Sequence, residues 1–281
     1  MCRLFGMTAG TQAVSARFWL LEAPDSLEQQ SRRNRDGSGI GYFDPTGSPV
    51  LDKEPEPAFE DVDFITTARR AVSTAFVSHV RYATTGHRSV ANTHPFAMSG
   101  RIMAHNGGFG ELEKLEAELG DDLADVHGDT DSERYFALIT RETERHGGDV
   151  GAGIASAAQW IARSLPLFSL NVIVAEPGQL WGLRYPDHHQ LHYLARQSGG
   201  HHGDRALHAS SDEVHVHSPD LERHPAVVIS SERMDEHPQW ESIRSGVLVH
   251  VSPDLTVTRH MVLPDAPARF VLPDLSTLPS G

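Results

Sequence analysis

The chain has 281 residues, 39% hydrophobic and 22% charged, which is enough for a large globular domain and unlike the composition of a disordered chain. Its formal net charge of -14, from 24 basic and 38 acidic residues, argues against nucleic acids and anionic membranes as partners. A single cysteine excludes an internal disulfide, a CxxC redox pair and a thiolate zinc finger. No apolar run has the length of a membrane span or signal peptide, so we expect a cytoplasmic protein.

The predicted elements mix strands and helices along the whole chain. Strand patterns cover residues 2–7, 39–43, 75–82, 101–105, 170–176, 180–185, 226–230 and 246–251, and helix patterns cover 26–33, 111–119, 131–146 and 152–164. Because strands outnumber helices and do not alternate strictly with them, the pattern favours an α+β layered sandwich over a doubly wound parallel sheet. We place one domain at residues 2–263 and a Pro-rich C-terminal tail at 264–281.

The single cysteine, Cys2, directly follows the initiator Met1. Methionine aminopeptidases remove Met1 when the second residue is small, which would leave a free α-amine on the residue that carries the thiol. That amine has an ordinary pKa of about 7.7–8.0 and can take the thiol proton, so that no separate base is needed. The alternative is a small hydrophobic side chain in an N-terminal strand, and Cys2 alone does not exclude it.

Three later segments carry polar residues at predicted element ends, and each has a purely structural alternative. Arg81, near the end of a strand, can present its guanidinium to a carboxylate or face solvent. Asn106-Gly107 is a hairpin signal, or else an oxyanion hole made of a side-chain N–H and a glycine N–H. Asp131 lies in a helix-capping segment and can also face a cationic ligand group.

Taken in order, these segments resemble the class II glutamine amidotransferases. The resemblance is carried by Cys2, the turn 36–39, Arg81-Tyr82-Ala83-Thr84, Asn92-Thr93-His94-Pro95, His105-Asn106-Gly107 and Asp129-Thr130-Asp131. Members of this family are N-terminal-nucleophile hydrolases, so the resemblance implies an α+β fold of the four-layer αββα sandwich type.

The resemblance also implies the chemistry. Cys2 would attack the γ-glutamyl amide bond of glutamine or of another γ-glutamyl compound, and water would hydrolyse the resulting thioester to glutamate. Asn106 and the N–H of Gly107 would stabilise the oxyanion. The implied substrate-binding residues are Arg81 for the α-carboxylate, Asp131 for the α-ammonium, and Tyr82 and Thr84 as pocket walls. We expect no cofactor and no resident metal.

The length implies a stand-alone member. After roughly 250 residues of amidotransferase fold, only about 20–30 residues remain, too few for an acceptor domain. Such a chain resembles the subgroup with the ergothioneine-pathway γ-glutamyl amidohydrolase and the glutathione-degrading amidotransferase. Residues 230–235, Ser-Ser-Glu-Arg-Met-Asp, also resemble that subgroup, and the sequence assigns them no role.

Three alternatives stay open at this point. In the first, the chain is a partner-dependent glutaminase subunit that delivers ammonia to a separate acceptor enzyme. In the second it is a redox-sensing thiol protein, and in the third a His-rich metal-binding protein. The last rests on the 18 histidines. Their clusters are His188-His189-x-x-His192, His201-His202 and His215-x-His217. The sequence also does not exclude a homo-oligomer.

Overall fold

A computed structural model describes residues 2–82, 87–196, 209–211, 214–216 and 223–272, with the backbone alone at 209–211 and 214–216. The strands of two large sheets are β1 (Arg3–Thr8), β2 (Ser38–Phe43), β3 (Pro49–Glu54), β4 (Ala75–Val80), β5 (Phe96–Met98), β6 (Arg101–Phe109), β7 (Leu167–Glu176), β8 (Gln179–Leu183), β9 (His192–Arg196), β10 (Ala226–Ser230), β11 (Glu241–Ser242), β12 (Val247–Val251) and β13 (Val257–Met261). The helices are α1 (Leu27–Ser31), α2 (Val62–Arg70), α3 (Leu112–Leu119), α4 (Asp131–Arg145) and α5 (Val150–Ser164).

The strands form two antiparallel sheets. The first has seven strands in the order β11-β9-β10-β1-β4-β2-β3, and the second has six in the order β13-β12-β8-β7-β6-β5. The strand that follows Cys2 is therefore the middle strand of its sheet. Two short two-stranded pairs lie outside these sheets, Val14–Ser15 with Val72–Ser73 and Ala209–Ser211 with Val214–Val216.

Three hydrophobic clusters separate four layers. Leu4 of the first sheet and Ile173 of the second belong to the cluster between the sheets. Alternate residues such as Phe5 face the opposite way, toward the layer that contains α1 and α2. Met103 and its neighbours on the second sheet pack against α3, α4 and α5. The order of layers is helix, sheet, sheet, helix, which confirms the predicted αββα sandwich.

Most predicted elements are present within a few residues of their predicted ends, and several elements were missed. Strands β3, β5, β9, β11 and β13 and helix α2 had no prediction. Helix α2 begins at Val62 and is capped by Asp61, whose carboxylate accepts hydrogen bonds from the N–H groups of Asp63 at 3.0 Å and Phe64 at 2.9 Å. Only Phe64 and Ala68 of this helix are buried, so its apolar pattern is too narrow to stand out in the sequence.

Part of the predicted tail lies against the domain. The N–H of Ala268 donates to the carbonyl of Ala162, and Leu167 exchanges main-chain hydrogen bonds with Arg269 and Val271. The side chain of Arg269 also pairs with Glu111 at 2.5 Å. Residues 268–271 thus add a short parallel segment beside the start of β7.

Candidate active site

Cys2 and Asn106 meet between the two sheets. Leu4 and Ala104 belong to the inter-sheet core, and side chains two residues apart on a strand share a face. Cys2 and Asn106 therefore continue the same layer, from the start of β1 and from within β6. The Nδ2 group of Asn106 donates a 2.9 Å hydrogen bond to the main-chain oxygen of Cys2, which links the sheets at the thiol-bearing residue.

The thiol of Cys2 contacts the backbone of Tyr82. Its sulfur accepts a hydrogen bond from the Tyr82 N–H at 3.2 Å, and its S–H donates to the Tyr82 carbonyl at 3.3 Å. Burial raises the pKa of the Cys2 thiol, while the Tyr82 hydrogen bond and the positive charges of Arg81 and Arg3 act in the opposite direction. Because the net shift is upward, the thiol is protonated at neutral pH and needs a base before it can attack.

Arg81 lies just beyond the end of β4 and is only 4% exposed. Its backbone is fixed by the predicted turn: its N–H donates to Gly37 at 2.7 Å, and its carbonyl accepts from Asp36 at 3.0 Å. Its Nη1 donates to the carbonyl of His87 at 3.3 Å. Burial lowers the pKa of Arg81, and the negative charges of Asp36 and Asp131 oppose that shift. The guanidinium stays charged and lies within electrostatic range of Asp131.

Asp131 is the first residue of α4 and is buried. Helix α4 begins here because the Thr130 hydroxyl accepts a hydrogen bond from the Glu133 N–H at 3.3 Å. One carboxylate oxygen of Asp131 accepts from the Phe109 N–H at 3.2 Å, and the other accepts from the Ser132 N–H at 2.9 Å. The end of β6 therefore holds this carboxylate in place.

Gly107 lies where the backbone of β6 approaches β7 closely. A Cβ at this position would be 1.9 Å from the carbonyl oxygen of Ser169 and 2.5 Å from Nε2 of His105. Only glycine fits there. The His105 ring is itself held by Ser132 at 2.9 Å and by Ser169 at 3.1 Å.

The position of Asn106 and Gly107 corrects one prediction. Both residues lie inside β6, which continues to Phe109, so the predicted strand end at residue 105 is wrong. The hairpin interpretation of this pair is excluded as well, since Asn106 pairs in register with Asn171 of β7. A strand can continue through the pair because neither residue has a positive φ.

Asn92, to which the sequence assigned no role, connects two loops of the candidate site. Its Oδ1 accepts from the Asp129 N–H at 2.8 Å, and its Nδ2 donates to the His87 carbonyl at 3.1 Å. Arg81 donates to the same His87 carbonyl. Asn92 thus ties the loop before Asp131 to the loop after Arg81. Asn92 belongs to the Asn-Thr-His-Pro motif, but nothing in that motif indicates which residues Asn92 contacts.

The structure describes six of the seven predicted site residues. It brings Cys2 into contact with Tyr82 and Asn106. Tyr82 is 38% exposed. Thr84 lies outside the described residues.

The histidine clusters were tested as far as the structure describes them. Within the described residues, no group of three His, Cys, Asp or Glu side chains is arranged to hold a metal ion. His188 and His189 pack their rings on Phe168, both at 4.8 Å between centroids, and His192 hydrogen-bonds Ser242 at 3.0 Å. His201, His202, His217 and the side chain of His215 lie outside the described residues.

Comparison with known families identifies the family of this chain. The sequence profile of the family described as glutamine amidotransferases class-II matches residues 1–264. The chain belongs to the class II glutamine amidotransferases. This confirms the resemblance found in the sequence.

Two curated relatives of this amidotransferase cover only part of each chain. It is 30% identical over 133 residues to the probable glutamine amidotransferase DUG3 of Saccharomyces cerevisiae, which covers 44% of this chain and 37% of that one. It is 29% identical over 170 residues to the putative glutamine amidotransferase YafJ of Escherichia coli, which covers 58% and 63%. The chain therefore matches less than two thirds of the length of either relative.

A solved structure matches the amidotransferase over nearly its whole length. The glutamine aminotransferase class-II domain protein of Silicibacter pomeroyi superposes with a TM-score of 0.62 at 20% identity, covering 94% of this chain and 100% of that one. This likeness supports the N-terminal-nucleophile hydrolase fold.

Among the residues described, none of the helices combines the length and hydrophobicity of a membrane span.

Proposed function

We propose that this class II glutamine amidotransferase cleaves γ-glutamyl amide bonds, in glutamine or a larger γ-glutamyl compound, with Cys2 as the nucleophile. The observation that carries the proposal is the 2.9 Å hydrogen bond from Asn106 to Cys2. It places an N–H donor of one sheet beside the thiol-bearing residue of the other, which is what attack on a carbonyl group requires.

Before any reaction, removal of Met1 gives Cys2 a free α-amine. That amine takes the proton of the Cys2 thiol, and the sulfur attacks the γ-carbonyl carbon to form a tetrahedral oxyanion. The C–N bond then breaks, the leaving amine takes the proton from the α-ammonium, and a γ-glutamyl thioester remains. Water adds to the thioester with the α-amine as base, which releases glutamate and restores the thiol.

The oxyanion is stabilised by Asn106 and Gly107. The side-chain amide of Asn106 has two hydrogens; one binds the Cys2 carbonyl, and the other is available to the oxyanion. The backbone N–H of Gly107 is the second donor. Loss of one such donor typically lowers the rate by about 10²–10³.

The glutamyl end is recognised by a cation and an anion. Arg81 pairs with the α-carboxylate and Asp131 with the α-ammonium, while Tyr82 lines the pocket. Arg81 and Asp131 are 4% and 8% exposed, so their interactions with a ligand are weakly screened by water. This arrangement favours zwitterionic γ-glutamyl compounds over uncharged amides.

We propose that this domain hydrolyses γ-glutamyl amides by itself. The Silicibacter pomeroyi structure supports this, because the match covers 100% of that solved chain. The partner-dependent glutaminase is the alternative.

The test is a hydrolysis screen with the purified chain. Glutamine and a panel of γ-glutamyl dipeptides are the substrates, released glutamate is the readout, and Cys2→Ala is the control. A glutamine-analogue chloroketone should add once to the wild-type chain by intact mass, and N-terminal sequencing should read Cys2 first. Hydrolysis that survives Cys2→Ala would overturn the proposal, and a retained Met1 in active protein would overturn the α-amine step. Adduct formation without turnover would favour partner dependence.

A further inference from the structure

The segment 230–235, to which the sequence assigns no role, lies beside the strand that follows Cys2. The hydroxyl of Ser231 accepts a hydrogen bond from the Leu4 N–H at 2.9 Å, and its N–H donates to the Leu4 carbonyl at 3.0 Å. The next residue, Glu232, pairs with Arg3 at 3.1 Å. The segment therefore binds β1 at its first two residues, Arg3 and Leu4.

Arg3 in turn contacts Cys2. Its Nη1 donates to the Cys2 carbonyl oxygen at 3.3 Å, the same oxygen that accepts from Asn106 at 2.9 Å. Side chains alternate along a strand, so Arg3 lies on the side of the sheet opposite the thiol. The main chain of Cys2 is thus held by one side chain from each side of its sheet.

A second ion pair lies beside this one. Asp25 and Arg33 are 3.2 Å apart. Burial raises the pKa of Asp25, with Arg33 and Arg3 lowering it and Glu232 raising it. The four side chains therefore interact electrostatically as one cluster of two cations and two anions.

We propose that Arg3, anchored by Glu232, is a positioning residue for the nucleophile, holding the main chain of Cys2 and placing a positive charge behind the thiol. This rests on Cys2 being the nucleophile of the proposed reaction. The other groups that act on the thiol are the Tyr82 N–H, Arg81 and the amino-terminal charge. Arg3 differs from these groups because its position depends on the carboxylate of Glu232. That residue lies 229 residues later in the chain.

The single cysteine makes the test direct, because the rate of alkylation by iodoacetamide against pH reports the Cys2 thiol alone. Arg3→Met removes the positive charge and should raise the apparent thiol pKa. Glu232→Gln removes the anchor of Arg3 and should raise the thiol pKa in the same direction, by a smaller amount. Both variants should lower kcat about tenfold with KM changed less than about twofold, since neither residue contacts the glutamyl end. Arg3→Lys should restore the pKa.

The matched control is Glu118→Gln. Glu118 pairs with Arg141 at 2.9 Å and its side chain is 36% exposed, against 41% for Glu232, so an equivalent ion pair is lost far from Cys2. This variant should change neither the thiol pKa nor kcat. A general loosening of the fold would leave the thiol pKa shifted in Arg3→Lys as well, whereas the proposal requires Arg3→Lys to restore it.

An unchanged alkylation profile in folded Arg3→Met would overturn the proposal. If that variant does not fold, Glu232→Gln decides, because its exposed carboxylate can be replaced without burying a new group; an unchanged pKa there would also overturn it. Alkylation needs no substrate, so failure of the proposed reaction is seen separately, as a wild-type chain that alkylates and does not hydrolyse γ-glutamyl amides.

Discussion

The side-chain amide of Asn106 and the main-chain oxygen of Cys2 lie 2.9 Å apart, although 104 residues separate them and they belong to different sheets. This contact holds the residue that carries the thiol. In the proposed reaction, the second N–H of the Asn106 amide donates to the oxyanion.

Replacing Asn106 by alanine should lower kcat for γ-glutamyl hydrolysis by about 10²–10³, because one oxyanion donor is lost. Asn34→Ala is the matched control, since Asn34 is also buried and donates from Nδ2 to a main-chain carbonyl, that of Gln30, at 3.0 Å. Steady-state kinetics and thermal unfolding of both variants give the comparison. Equal kcat values in the two variants would exclude the oxyanion role.

Gly107→Ala should destabilise the domain strongly, by about 2–3 kcal/mol or more, because the new methyl group would be 1.9 Å from the Ser169 carbonyl oxygen. The neighbouring Gly108→Ala places its methyl group 3.7 Å from Asp131, an ordinary contact, and should cost much less. Urea unfolding measures both. Equal stabilities would contradict the close approach of β6 and β7.

Arg81→Gln should raise KM for γ-glutamyl substrates by about 10–100-fold, the value of a charge-assisted hydrogen bond to a carboxylate. Arg88→Gln is the control on the same loop, because Arg88 is exposed and donates to the carbonyls of Arg35 and Pro55. KM should change little in that variant. If Arg81→Gln binds substrate as the wild type does, the carboxylate role is excluded.

Stability should fall in acid because of two buried imidazoles. His79 and His94 stack at 4.3 Å, and none of their ring nitrogens has a hydrogen-bond partner among the described residues. Burial lowers the pKa of His79 to about 3, with Arg81 and His105 adding to the shift. An unfolded histidine has a pKa of about 6.5, so below that pH the unfolded chain binds more protons than the native one.

The free energy of unfolding should therefore be greatest above about pH 6.5 and decrease as the pH falls, with His79 alone contributing up to about 1.4 kcal/mol per pH unit. Urea unfolding at about pH 7.5 and 5.5 measures the slope. His79→Leu should flatten it, and His146→Gln, at an exposed position, should not. A slope identical in wild type and His79→Leu would refute this assignment.

The sequence predicted the elements that have a strong local pattern. Helix α4 combines a capping threonine, first-turn acids and a regular apolar face, so its start at Asp131 was predicted exactly where it lies. Strand β6 was cut short because Asn106-Gly107 is a common turn signal. The pairing with β7 outweighs that local preference, and no property of the two residues alone reveals it.

Within the site, the sequence predicted residue types and missed the connections between them. Asn92 reaches Asp129 across 37 residues, and Glu232 reaches Arg3 from the other end of the chain. Such contacts depend on which strands become neighbours, and strand order follows from the packing of whole layers. Residues 230–235 therefore resembled a family segment without revealing that they hold β1.

The position of β1 has a consequence for how the protein is made. Its partner strand β10 begins at Ala226, so the middle of the seven-stranded sheet stays open until about four fifths of the chain has been synthesised. Non-local pairings of this kind form late. Until then the amino terminus has no complete binding site around it and is accessible to an aminopeptidase. The removal of Met1 that the proposed reaction requires therefore has its opportunity before the sheet closes around Cys2.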